Sequence, residues 1–168
     1  MALTQVTGKK KGKKPSSPKR ATYDCEHTDA SIGDDKGKDS VCSCSNGAQA
    51  TQKWSNDQIL NHAAGVPDGW NNGCGGTGKG YQVFGLKLAF PASFQHCCSV
   101  HDVGYGDCNQ SKKDADSAFK KCVYQMADTK PGVRGKAYAK KAADSWTNVW
   151  EHNAEFFDNK QKKNCSCK

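Results

Sequence analysis

Cys97-Cys98-Ser99-Val100-His101-Asp102-Val103-Gly104-Tyr105 is the stretch on which the fold of this chain turns. Written on a helix, Cys97, His101 and Tyr105 fall at i, i+4 and i+8 and share one face, while Cys98 and Asp102 share the adjacent one. The histidine and the aspartate beside it therefore point in related but different directions. Pro91 gives this helix a natural start, because the N–H that proline lacks has no partner in a first helical turn.

Downstream, Ser111 offers a hydroxyl cap with Asp114 at the third position, which predicts a second helix through Asp116, Phe119, Cys122 and Met126. Beyond the turn at Pro131-Gly132 a third, longer helix is expected over 136–158. Its stripe is Tyr138, Trp146, Val149, Trp150 and Phe157. Packing into the core is the stronger reading of that stripe, and direct lipid contact is the other.

Upstream, Ser55-Asn-Asp-Gln58 has the capping-box spacing. Ile59, Leu60, Ala63 and Ala64 then form an apolar stripe that Gly65 and Pro67 end. Asp68 to Gly80 is dense in glycine around Cys74, which suits either close approach of backbone to a ligand or a plain surface turn. Residues 83–90 are apolar apart from Lys87, and 21–53 read as polar loops tied by bridges through Cys25, Cys42 and Cys44.

The chain has 168 residues, 35% of them hydrophobic, and no stretch of about 18 apolar residues that would cross a membrane. Ten cysteines are far more than a reduced cytosolic domain carries, so the expected setting is oxidising and extracellular, with the chain secreted. The opening Met-Ala-Leu-Thr-Gln-Val-Thr-Gly lacks the apolar core of a secretion signal, which predicts a processed form or a domain cut from a longer secreted protein. Seven of the 25 basic residues lie in 1–20, without an acid. Over 21–168 there remain 18 basic against 17 acidic residues. The net charge of +8 thus belongs to a tail. Residues 1–20 are expected to be a disordered basic tail and 21–168 a single domain. A solvated tail is the plain reading, an anionic surface is the main alternative partner, and the cysteine count argues against nucleic acid.

Taken in order, Gly73-Cys74-Gly75-Gly76-Thr77-Gly78, Phe84-Gly85-Leu86-Lys87-Leu88, the Cys97–Tyr105 stretch, Cys108, Lys113-Asp114-Ala115-Asp116, Phe119 and Cys122 resemble the secreted phospholipases A2, most closely their group XII branch. The likeness is strong across 71–126 and fainter at Cys42-Ser-Cys44 and Cys165-Ser-Cys167. Family members usually carry cysteines at the positions of Gly104 and Ala115, and these pair with each other; both are missing here, so one bridge is removed without leaving a stray thiol.

The resemblance implies a mainly α fold. A disulfide-stapled pair of antiparallel helices carries the active site, with a Gly-rich calcium loop, additional helices and long loops. It implies that Cys97 pairs with Cys122 and Cys74 with Cys98, and leaves the other six cysteines unassigned. It further implies that His101 activates a water, that Asp116 orients the histidine, that Tyr105 hydrogen-bonds Asp116, and that Asp102 with the carbonyls of Gly73, Gly75 and Thr77 holds Ca2+.

Those residue types suit ester hydrolysis. An imidazole with an ordinary pKa of about 6.5 can deprotonate water near neutrality, a buried carboxylate fixes its tautomer, and a hard cation polarises the carbonyl. No Gly-x-Ser-x-Gly elbow supplies a protein nucleophile. A zinc reading of the Cys-x-Cys pairs departs from the usual ligand spacing.

The expected function is calcium-dependent hydrolysis of the sn-2 ester of glycerophospholipids at a membrane or micelle surface, anionic surfaces included. The alternative is a non-catalytic lipid- or receptor-binding protein or toxin on the same scaffold. Val83, Phe84 and Leu86 are candidates for contact with lipid, or else core. In a eukaryotic source Asn109-Gln-Ser and Asn164-Cys-Ser would be N-glycosylation acceptors.

Overall fold

The computed structural model describes residues 22–25, 39–71, 74, 82–83, 86–87 and 94–167. The tail expected at 1–20, the Gly-rich loop positions Gly73, Gly75 and Thr77, and Phe84 lie outside the described residues, as do the side chains of Val83 and Leu86. The fold is mainly helical. Its elements are β1 (Thr22–Asp24), β2 (Val41–Ser43), β3 (Thr51–Gln52), α1 (Asn56–Leu60), β4 (Gln82–Val83), β5 (Leu86–Lys87), α2 (Gln95–Gly106), α3 (Lys112–Asp128), α4 (Gly132–Glu151), α5 (Ala154–Asn164) and β6 (Cys165–Ser166). Among the described residues the strands form three two-stranded pairs, β1 parallel to β2, β3 antiparallel to β6, and β4 antiparallel to β5.

α2 and α3 run antiparallel. Cys97 is bridged to Cys122, His101 meets Asp116, and Gly104 faces Ala115, so partners descend α3 as they climb α2. α3 starts where its sequence said it would, with Ser111 Oγ accepting from Asp114 N. α1 has both halves of its capping box, Gln58 N to Ser55 Oγ and Ser55 N to Gln58 Oε1. It is shorter than its stripe suggested, because His62 takes a positive φ of 50° and the chain turns away before Ala63 and Ala64.

The single helix expected over 136–158 is two helices. α4 ends at Glu151, and α5 restarts at Ala154 after His152 and Asn153. Trp146, Trp150 and Phe157 from that stripe are buried in the main core, as are Ala139 and Ala143, while Tyr138 is 65% exposed. The two small alanines belong to the same packed cluster as Val123 and Ala127 of α3. Tyr124 and Asp144 add a hydrogen bond between α3 and α4.

Five disulfides close the structure. Cys97–Cys122 and Cys74–Cys98 are the two pairings that the family resemblance implied. The other three are Cys25–Cys42, Cys44–Cys167 and Cys108–Cys165. The last two fasten β6 to the start of the domain and to the loop after α2. α5 is also fixed by polar side chains that satisfy carbonyls at the end of α2, a helix end that has no intrahelical donors for them. Gln161 Nε2 donates to Tyr105 O at 2.8 Å and to Asp107 O at 3.1 Å. Asn164 Nδ2 donates to Gly106 O at 2.7 Å and to Trp54 O at 3.1 Å. Asn164 is 1% exposed, so in the folded chain this Asn-Cys-Ser triplet serves packing, with both amide hydrogens already committed to carbonyls.

Candidate active site

The site lies where α2, α3 and the C-terminal end of α4 meet. His101 comes from the middle of α2, one turn after the bridged Cys97. Asp116 comes from the first turns of α3. Because the Cys97–Cys122 bridge fixes the two helices side by side, the two groups face each other, with His101 Nε2 2.7 Å from Asp116 Oδ1. Tyr105, one turn further along α2, donates its hydroxyl to the same oxygen at 2.7 Å. His101, Asp116 and Tyr105 are 3%, 8% and 1% exposed, so these bonds are made away from bulk water.

The imidazole sits among aromatic rings. Its centroid lies 4.1 Å from that of Tyr105, 4.8 Å from Phe119 and 5.2 Å from Trp150. Trp150 reaches the site from the end of α4 and packs edge-on against Phe156 of α5. Its indole nitrogen is buried, with no hydrogen-bond partner among the described residues.

A lysine completes the carboxylate's environment. Lys112, the first residue of α3, is fully buried, and its Nζ donates to Asp116 Oδ2 at 2.6 Å. It also donates to the carbonyls of Trp150 at 2.7 Å and Glu151 at 3.2 Å. All three ammonium hydrogens thus have acceptors, and two of them are at the negative end of α4, where a cation is favoured. Sequence reasoning missed this residue. The signal was its i, i+4 spacing to Asp116, but a lysine opening a helix ordinarily reads as solvated.

Asp116 therefore receives three donors. Burial works to raise its pKa, yet the bonds from His101, Lys112 and Tyr105 and the charge interaction with His101 outweigh it and hold the carboxyl below its usual value. Tyr105 is pushed well above the ordinary phenol range, first by burial and then by the adjacent Asp116 carboxylate, so it remains a protonated donor.

Asp102 lies next to His101 on the adjacent face of α2 and is 7% exposed. Its Oδ1 accepts from Lys160 Nζ of α5 at 2.8 Å, and Lys160 also bonds the Trp70 carbonyl. Burial lowers the pKa of Lys160 and the Asp102 carboxylate pulls it back up, with lowering the net direction. Nothing in the local sequence announces Lys160, which lies 58 positions from its partner.

A shielded carboxylate is an oxygen donor of the kind a hard metal ion takes, and here Lys160 occupies one of its oxygens. Asp102 fits calcium as far as one ligand can, while Gly73, Gly75 and Thr77 lie outside the described residues. Among the described residues no three His, Cys, Asp or Glu side chains cluster as a metal site. Cys74 is placed by its bridge to Cys98, one turn before Asp102 on α2, and by its N–H bond to Gln95 Oε1 at 3.3 Å, so that point of the Gly-rich segment is fastened to α2. His62, His96 and His152 are exposed and take no part.

Comparison with known proteins gives one family. A family model described as group XII secretory phospholipase A2 precursor matches residues 26–168. No curated protein and no solved structure matches significantly. No helix among the described residues is long and apolar enough to cross a membrane. With the match covering most of its length, with its two expected bridges formed and with the His–Asp pair at the helix interface, the chain belongs to the group XII secretory phospholipase A2 family of secreted, disulfide-bonded proteins.

Proposed function

We propose that this protein hydrolyses the sn-2 ester of glycerophospholipids at a lipid surface by water activation at His101, with calcium as cofactor. The observation that carries the reading is the shielded 2.7 Å contact between His101 Nε2 and Asp116 Oδ1 in a member of this family. With Nε2 committed to Asp116, Nδ1 is the ring nitrogen left to take a proton from water. Asp116 holds the tautomer that leaves Nδ1 as the acceptor and stabilises the imidazolium formed on proton transfer. Tyr105 and Lys112 hold the carboxylate itself.

Asp102, with the carbonyls of Gly73, Gly75 and Thr77, would hold the metal. Bound calcium supplies positive charge to the ester carbonyl oxygen. The rings of Phe119 and Trp150 limit the water around His101 and strengthen its polar bonds.

The test is fatty-acid release from mixed-chain phosphatidylcholine and phosphatidylglycerol vesicles, with calcium or with chelator, comparing the wild type with His101→Gln. The reading requires calcium-dependent sn-2 release that falls by roughly 10²–10⁴-fold in the variant, the range for loss of a general base. A folded wild-type protein that binds these vesicles without releasing fatty acid would instead be a lipid-binding member of the family.

A further inference from the structure

Asp102 is served by a cation that belongs to the protein. Lys160 Nζ lies 2.8 Å from Asp102 Oδ1, with the two side chains only 12% and 10% exposed. The same ammonium bonds the carbonyl of Trp70 and stands 5.5 Å from the centroid of the Trp70 ring. A carboxylate, a carbonyl and an aromatic face around one ammonium make a built cation site. The fold delivers it, because the neighbouring Gln161 and Asn164 pin α5 to the end of α2.

Calcium takes carboxylate oxygens at about 2.3–2.6 Å. A divalent ion at that distance and an ammonium on the same Asp102 oxygen would repel each other strongly in a shielded place. The two cations exclude one another. Lys160 also has somewhere to go, since a cavity of about 210 Å³ opens beside it, lined in part by Asp68, Phe156, Asn159 and Lys163. Asp68 puts a second carboxylate on that cavity.

We propose that Lys160 is an intrinsic competitor for the metal site: its ammonium neutralises Asp102 in the metal-free protein and swings into the α5 cavity when calcium binds. The proposal rests on the reading of Asp102 as a calcium ligand. The tethered ammonium weakens calcium binding and lets the helices fold with Asp102 charged and shielded before any metal arrives. It makes Lys160 the residue that sets metal affinity.

Calcium binding to the full chain, measured by calorimetry at neutral pH, tests this. Lys160→Met keeps the stem and removes the charge, and should bind calcium roughly ten-fold more tightly, within the usual range of coupling between competing ligands. Asp102→Asn should abolish binding with or without that change. Equal or weaker binding in a folded Lys160→Met overturns the competition and leaves the calcium reading standing. No calcium binding by wild type or by folded Lys160→Met overturns both.

A second measurement needs no substitution. Acylation of lysines by a succinimidyl ester, read by mass spectrometry, should increase several-fold at Lys160 when calcium is added and stay constant at exposed Lys136. Unchanged labelling of Lys160 in protein that calorimetry shows to be calcium-loaded would overturn the proposal.

Discussion

Lys112 Nζ lies 2.6 Å from Asp116 Oδ2, one turn away on the same helix, and the lysine has no exposed surface. The proposed catalytic carboxylate is therefore divided, with Oδ1 given to His101 and Tyr105 and Oδ2 to a cation that also closes the end of α4. Removing one partner of a buried pair leaves the other charged and shielded, which costs about 3–5 kcal/mol. Lys112→Met is expected to lose stability on that scale in urea unfolding, more than any substitution of an exposed lysine such as Lys136.

The same carboxylate gives acid sensitivity a sign. Asp116 sits below its ordinary value of 3.8 in the folded protein, so on acidification the unfolded chain takes up this proton first. The contribution of Asp116 is fully present above the ordinary value and is lost as pH falls through the depressed one. Unfolding free energies measured from neutrality down through that window should fall more steeply for the wild type than for Asp116→Asn. Parallel curves would show that the three donors do not favour the ionised form.

Tyr105→Phe removes one of the three donors and leaves the ring in place against Phe157 and His101. A single hydrogen bond to a charged group is worth about 1.5–3 kcal/mol. The expected outcome is a stability loss in that range with measurable hydrolysis retained, because His101 and Lys112 still hold Asp116. Loss of activity as complete as in His101→Gln would give the hydroxyl a larger part than positioning.

Gly104 and Ala115, the two positions at which the resemblance implies cysteines, are in contact. A Cβ built on Gly104 would lie 3.2 Å from Ala115 Cβ and 2.9 Å from Gln110 Oε1. That is slightly closer than the mean of about 3.8 Å across a disulfide, so a small relaxation and a turn of Gln110 suffice. The double change Gly104→Cys, Ala115→Cys should form a bridge, visible as two fewer free thiols by mass spectrometry, and stabilise by about 2–4 kcal/mol. Persistent free thiols in the purified variant would mean that the helices cannot make the adjustment.

At the end of α2, Gly106 allows α1 and the 67–71 loop to pack against the helix. A Cβ there would stand 3.0 Å from Ile59 Cδ1 and 3.2 Å from Trp70 Nε1, inside a shielded cluster. Gly106→Ala is expected to destabilise by about 1–3 kcal/mol through overpacking, against the gain in helix propensity that alanine brings at an open site. A melting temperature equal to or above that of the wild type would disprove the crowding.

What the sequence made legible is what short-range chemistry specifies. Ser55 and Ser111 announced α1 and α3 because a cap is a contact between residues three apart. The His101–Asp116 contact followed once the family resemblance assigned the Cys97–Cys122 bridge, since helix geometry then brings those faces together, and the Tyr105–Asp116 contact was implied by the resemblance itself. The break at His152 was hidden because the apolar spacing runs on from Trp150 to Phe157 as if one helix continued. Tyr138 belonged to the same stripe, yet it is exposed where Ala139 beside it is buried. Lys160 and Asn164 act on residues more than fifty positions away, and no local pattern encodes such a meeting.

The pairings of β6 bear on how the molecule is made. Cys165 and Cys167 close loops of 57 and 123 residues, and Lys160, Gln161 and Asn164 lie just ahead of them. In synthesis from the N-terminus, α2 and α3 are complete, with Cys97 and Cys122, before α5 is made. Asp102 then has no lysine, the end of α2 has no cap, and Cys44 and Cys108 wait as thiols. The pairing of Asp102 and the capping of α2 thus wait on residues 160–167, and a chain cut ahead of Lys160 would keep the Cys97–Cys122 bridge between α2 and α3 but lack both.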